Sequence, residues 1–135
     1  MDNRSSLLVN TRPIIPSARI HENMSKEERF QNSTLRPVLK MQNDLLIEAF
    51  KNYINKHKGG FYSFSLEKKL AFIQNAIQRD IKFRNSLKGM IIGVFTVEEY
   101  LEYIENSSAL NKRMMKLVIE RLQNQVQLFD INEVA

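Results

Sequence analysis

Apolar positions return every three or four residues over most of the chain, the period of helices with one face in a core. The pattern is strongest between Leu66 and Ile92. At about 100° per residue, Leu66, Leu70, Phe72, Ile73, Ala76, Ile77, Ile81, Phe83, Leu87, Met90 and Ile91 share an arc of about half the circumference. The opposite arc, Asn75, Gln78, Arg79, Lys82, Asn85, Ser86 and Gly89, is polar without a break. So wide an apolar arc predicts a central helix touching several neighbours, capped by Ser65 and ending at Gly93.

On either side the same period predicts further helices. Ser25 with Glu28 forms a capping-box pattern for a short helix from Lys26 to about Asn32. Thr34 reads as the cap of a long helix, Leu35 to His57, with Pro37 in its first turn and Gly59-Gly60 beyond its end. Its apolar stripe is Leu35, Val38, Leu39, Leu45, Leu46, Ala49, Phe50 and Tyr53, while Lys56, His57 and Lys58 suit the negative end of the helix dipole. Thr96 with Glu99 is a second capping box, and Phe95 with Tyr100 occupies the two positions of a hydrophobic staple. They predict a short helix from Val97 to about Glu105 that buries Val97, Tyr100, Leu101 and Ile104. After a turn at Asn106-Ser107-Ser108, the last helix runs from Ala109 to about Phe129 and buries Leu110, Met114, Leu117, Val118, Leu122, Val126 and Phe129.

Residues 1–24 show no sustained period, and Pro13 and Pro16 bracket Ile14 and Ile15. This arm is expected to be irregular; it is either disordered or lays its isoleucines into a groove on the body or on a second subunit. No strand alternation, hairpin dipeptide or internal repeat is present. The expected fold is all-α: a compact antiparallel bundle of three long helices and one or two short ones over 25–130, with 131–135 frayed.

Polar residues interrupt the apolar faces at Gln42, Asp80, Arg84, Arg121 and Gln125. Asp80 and Arg84 are spaced i,i+4 with the acid first, so they are expected to pair within the central helix, because an unpaired buried ion is costly. One reading of the set is a paired network that fixes helix register. The other is a pocket in which Arg84 and Arg121 grip a small anion, since arginine holds carboxylate or phosphate through two hydrogen bonds. Gly89 and Gly93 are expected to let helices approach closely.

Composition narrows the choices. At 135 residues the chain fits one domain, with hydrophobic content of 43% and charged content of 26%, an ordinary globular balance. It has no cysteine, which excludes disulfides, thiolate metal sites and cysteine nucleophiles. Its two histidines, His21 and His57, stand outside any Glu-x-x-His pattern, so no metal is expected. The opening residues carry no secretory pattern, and the longest apolar run, Met90 to Phe95, is too short for a bilayer. The expectation is a cytoplasmic protein with no membrane partner.

The net charge of +5 favours weak attraction to polyanions. Its candidate contacts are Arg79, Lys82, Lys112, Arg113 and Lys116, the last three near the start of what would be the second helix of a helix-turn-helix from Val97 to Phe129. There is no nucleophile elbow, phosphate-cradling loop or nameable acid-base pair, so no catalytic residue and no cofactor is assigned.

The stretch Ala76 to Gly93, AIQRDIKFRNSLKGMIIG, and the stretch Phe95 to Met115 resemble a small, uncharacterised bacterial family whose members automated naming sometimes labels glyoxalase. The resemblance covers most of the chain after the arm and brings no functional residue with it. Glyoxalase-type metalloenzymes of the paired βαβββ kind need strands and clustered histidine and carboxylate ligands; this sequence pattern offers neither. The leading expectation is a non-enzymatic interaction module that self-associates, as a homodimer. The alternatives are a small-anion-binding bundle and a nucleic-acid-binding protein.

Overall fold

The arm contains a helix. In a computed structural model describing residues 2–16, 18–57 and 59–130, α1 spans Asn3–Thr11 and is capped by Asp2, whose side chain accepts from the Ser5 amide at 2.7 Å. The irregular arm expected from the missing period is thereby corrected over Asn3–Thr11, since a nine-residue helix needs only a cap and an anchor, while 12–16 and 18–24 carry no helix. The anchor is tertiary. Arg4 donates to the carbonyls of Phe95 and Gly93, both at 2.8 Å, and Arg12 donates to that of Val94 at 2.9 Å. Ile14 points outward, and Ile15 is half-buried against the body.

After the arm come α2 (Lys26–Phe30), a π turn (Gln31–Leu35), α3 (Arg36–Met41), α4 (Asn43–Lys56) and a 3-10 turn (Phe61–Ser63). They are followed by α5 (Leu66–Arg79), α6 (Ile81–Ile92), α7 (Val97–Ile104), α8 (Ser107–Asn124) and a last 3-10 turn (Val126–Phe129). The described residues are all-helical, with no strand. Lys58 and 131–135, for which a helix-end role and fraying are expected, lie outside the described residues.

Two of the three expected long helices are broken. The helix expected over Leu35 to His57 is kinked at Gln42 (φ −89°, ψ 3°), whose amide side chain donates 2.8 Å to Met90 O, one of the carbonyls left open at the end of α6. Thr34 is no cap: it is buried inside the π turn that runs α2 into α3. The central helix breaks at Asp80 (φ −87°, ψ 96°), which caps α6 by accepting from the Phe83 amide at 3.1 Å. A short carboxylate competes well for backbone amides, which is why it ends one helix and starts the next. The apolar arc therefore restarts: Leu87 and Ile91 are buried, whereas Leu66 and Ile81 are exposed.

The caps at Ser25, Ser65 and Thr96 form as expected, Thr96 with the full reciprocal box. Gly60 supplies the positive φ of 78° that leads into the first 3-10 turn. The core centres on α8, which lies against α5, α6, α7 and the π turn. Phe50 of α4 meets Tyr53, Phe72, Phe83 and Phe129 there.

The two glycines of α6 and its end differ from expectation. A Cβ at Gly89 would meet nothing within 4 Å, so it serves no close approach; one at Gly93 would lie 2.8 Å from Gly89 O. Replacing Gly89 with alanine should stabilise the chain by about 0.5–1 kcal/mol by lowering backbone entropy loss. The same change at Gly93 should destabilise it by about 1 kcal/mol or more. Thermal melts of the two variants, shifting in opposite directions, check this.

Candidate functional site

α7 turns the opposite face inward from the one its sequence pattern predicts. Glu99 and Tyr103, one turn apart, face the body. Glu99 accepts from the Thr96 amide at 2.8 Å, from the Thr34 hydroxyl at 3.1 Å, and from both terminal nitrogens of Arg12, one at 2.6 Å. Burial pushes the Glu99 carboxyl up, but the hydrogen bonds from Arg12, Thr96 and Thr34 and the guanidinium charge outweigh it and hold its pKa below the ordinary value. Tyr103 donates to Asn111 Oδ1 at 2.5 Å and packs edge-on against Phe95. The expected staple changes partner: Phe95 packs on Phe30 and Tyr103, not on Tyr100.

With Glu99 and Tyr103 inside, the apolar stripe of α7 faces out. Val97 is 54% exposed, Tyr100 45%, Leu101 54% and Ile104 49%, where the sequence pattern predicts burial. Leu101 borders a hollow of about 950 Å³ between α7 and α2, shared with Met24, Phe30 and Leu110. Glu98, Glu102 and Glu105 line one edge of the stripe, where the hollow also takes Lys26, Glu27 and Arg29 of α2.

The five polar residues expected in one cluster separate into four places. Gln42 holds the end of α6. Gln125 and Asn43 exchange amide hydrogen bonds of 2.7 and 2.9 Å, and Arg121 donates to Asn43 Oδ1 at 3.3 Å. Asp80 and Arg84 do not pair, because the break at Asp80 redirects both. Arg84 donates to Gln78 O at 2.8 Å, and Asp80 accepts from the Tyr53 hydroxyl at 3.1 Å.

Arg84 and Arg121 line different hollows. Arg121 shares a space of about 360 Å³ with Arg36, Glu120 and Ile15; its pKa is lowered by burial and then by the charge of Arg36. Arg84 lies in a groove of about 760 Å³ between α5, α6 and α8, together with Lys88, Lys112 and Lys116. Ile77, Met115 and Ile119 form its floor, and Glu120 is its one acid. Of the expected polyanion contacts, only Lys112 and Lys116 meet here. Arg113 turns away to donate to Gln31 Oε1 at 3.1 Å, Arg79 borders Tyr53 and His57, and Lys82 is exposed elsewhere. Arg84 and Lys88 join them through the fold; their place beside α8 has no local signal in the sequence.

Tyr53, His57 and Asp80 form a cluster of titratable side chains at the α5–α6 break. Tyr53 stacks on His57 at 3.9 Å between ring centres, His57 Nδ1 donates to Tyr53 O at 2.9 Å, and His57 Nε2 lies 3.9 Å from Asp80. Burial, the hydrogen bond to Asp80 and its charge push the Tyr53 hydroxyl up to about 12. The Phe83 amide in particular, with help from Tyr53 and His57, lowers the Asp80 carboxyl despite its partial desolvation. At neutral pH Tyr53 stays protonated and Asp80 ionised, and their hydrogen bond ties α4 to the α5–α6 junction.

No group of three or more potential His, Asp or Glu metal ligands occurs among the described residues, nor is any of their helices long and apolar enough to cross a membrane. No protein-family model, curated protein or solved structure matches the chain.

Proposed function

We propose that the chain is a non-enzymatic interaction module that associates with itself through the outer face of α7. The observation carrying this reading is the exposure of Val97, Tyr100, Leu101 and Ile104 on one helix, with Leu101 continuous with the hollow against α2. A contiguous apolar patch of this kind marks an interface more often than a solvated face. Burying the remaining half of four such side chains is worth about 3–6 kcal/mol, which association costs largely offset, so the contact is weak unless charge assists it.

Sedimentation velocity across the micromolar range tests the reading. The wild-type chain should associate as concentration rises, and Leu101→Lys should stay monomeric with its far-UV spectrum unchanged. A wild-type chain that stays monomeric throughout would sink it.

A second reading, small-anion binding, is favoured by the crowding of Arg36 and Arg121 around one hollow. Inorganic phosphate should then raise the melting temperature of the wild type and of Arg84→Ala, but not of Arg121→Ala. An equal response from all three would dismiss it.

A further inference from the structure

The exposed face of α7 and the groove between α5, α6 and α8 are complementary in charge and in apolar content. Resting on the self-association reading, we infer that the groove of a second copy is where α7 docks.

α7 offers Glu98, Glu102 and Glu105 along the α2 edge of its apolar stripe; Lys26 and Arg29 of α2 line the same hollow but form no ion pair with them among the described residues. The groove offers Arg84, Lys88, Lys112 and Lys116 over an aliphatic floor, against the single acid Glu120. The ion pairs formed among the described residues engage none of these four cations. An amphipathic helix laid in a groove reads its partner through an apolar stripe on the floor and charge along its edge, and both halves of that arrangement are present on this chain.

Length agrees as well. At 1.5 Å per residue, α7 is about 12 Å long, and the stretch of α8 from Ser108 to Gln123 that flanks the groove is about 24 Å. The groove accepts all of α7 with room for Glu105 beyond its end. A single strand of nucleic acid fits less well, because such strands bind by stacking bases on aromatic rings and the groove lining has none. Charge also supplies what the half-buried stripe lacks: an acidic edge against a basic groove steers encounter and fixes register. Donor helix and acceptor groove are different patches of one chain, so copies join either as a reciprocal pair or head to tail into a ring or filament.

Charge reversal tests this with the full chain, in sedimentation velocity with far-UV spectra as the check on folding. Glu98→Lys with Glu102→Lys reverses the helix, and Lys112→Glu with Lys116→Glu reverses the groove; all four side chains are exposed. Each reversed chain alone should be at least tenfold weaker in association than wild type, and a chain carrying all four substitutions should recover. If the groove-reversed chain associates as well as wild type, α7 pairs with some other surface; the docking inference then falls while self-association stands. If groove reversal instead abolishes binding of an RNA oligonucleotide and leaves association intact, the groove belongs to nucleic acid and the inference is again overturned. A wild-type chain that never associates removes both readings.

Discussion

Arg12→Ala is expected to destabilise the chain by about 3 kcal/mol or more, a fall of roughly 10–20 °C in melting temperature. Arg12 and Glu99 are nearly enclosed, their side chains 8% and 16% exposed. Removing the guanidinium leaves Glu99 charged and buried with only the Thr96 amide and Thr34 hydroxyl, and opens the Val94 carbonyl as well. Cutting one partner from a buried pair costs more than the pair contributes, since the surviving ion keeps its desolvation. The arm would lose its charged hold beyond α1, keeping there the hydrogen bond from Asn32 to Arg19 O and the packing of Ile15. A double-mutant cycle with Glu99→Gln, read from urea denaturation, should return a coupling well above that of an exposed ion pair. Additive single effects would show that the contact is not a working pair.

The same pair sets a pH dependence. The Glu99 carboxyl titrates below its ordinary value in the folded chain, so on acidification the unfolded chain takes up the proton first. Its contribution is fully present above the ordinary carboxylate value and drains away as pH falls through that value to the lower folded one. Arg12→Ala should flatten this part of the acid-unfolding curve, and an unchanged slope would assign it to other groups.

Phe50→Ala should cost about 3–5 kcal/mol, the range for deleting a buried aromatic ring. Phe50 is fully buried, and Phe129 stands 4.9 Å from it between ring centres, with Phe72 and Phe83 close by. These partners come from α5, α6 and the last 3-10 turn, so a cavity here is walled by several elements and collapses poorly. Phe50→Leu should recover part of the loss. A cost near 1 kcal/mol for alanine would mean that the surrounding rings close the gap.

What could be read from the sequence follows from how local its cause is. The caps at Ser25, Ser65 and Thr96 involve a side chain and an amide three residues on, and all three were legible. Asp2 with Ser5 is the same kind of signal, yet with no apolar period after it α1 went unread; its holding contacts reach some ninety residues away, at Gly93 and Phe95. Asp80 and Gln42 look like polar residues within continuous helices because a helical projection carries its period smoothly across a break. Once ψ at Asp80 turns to 96°, the projection beyond it is out of phase, and the expected pairing with Arg84 goes with it. The candidate site was half legible: the stripe on α7 and the cations of α8 are in the sequence, but which face of α7 turns inward is decided by Arg12 and Thr34, far away in the chain.

Hydrogen exchange of the wild-type chain at low and high concentration tests the central claim most directly. If α7 is the contact surface, amides of Val97–Ile104 should gain protection as concentration rises, together with those around Lys112 and Lys116 on α8, while α1 and α4 stay unchanged. Equal protection of α7 at both concentrations, in a chain that associates, would place the contact elsewhere and contradict the account.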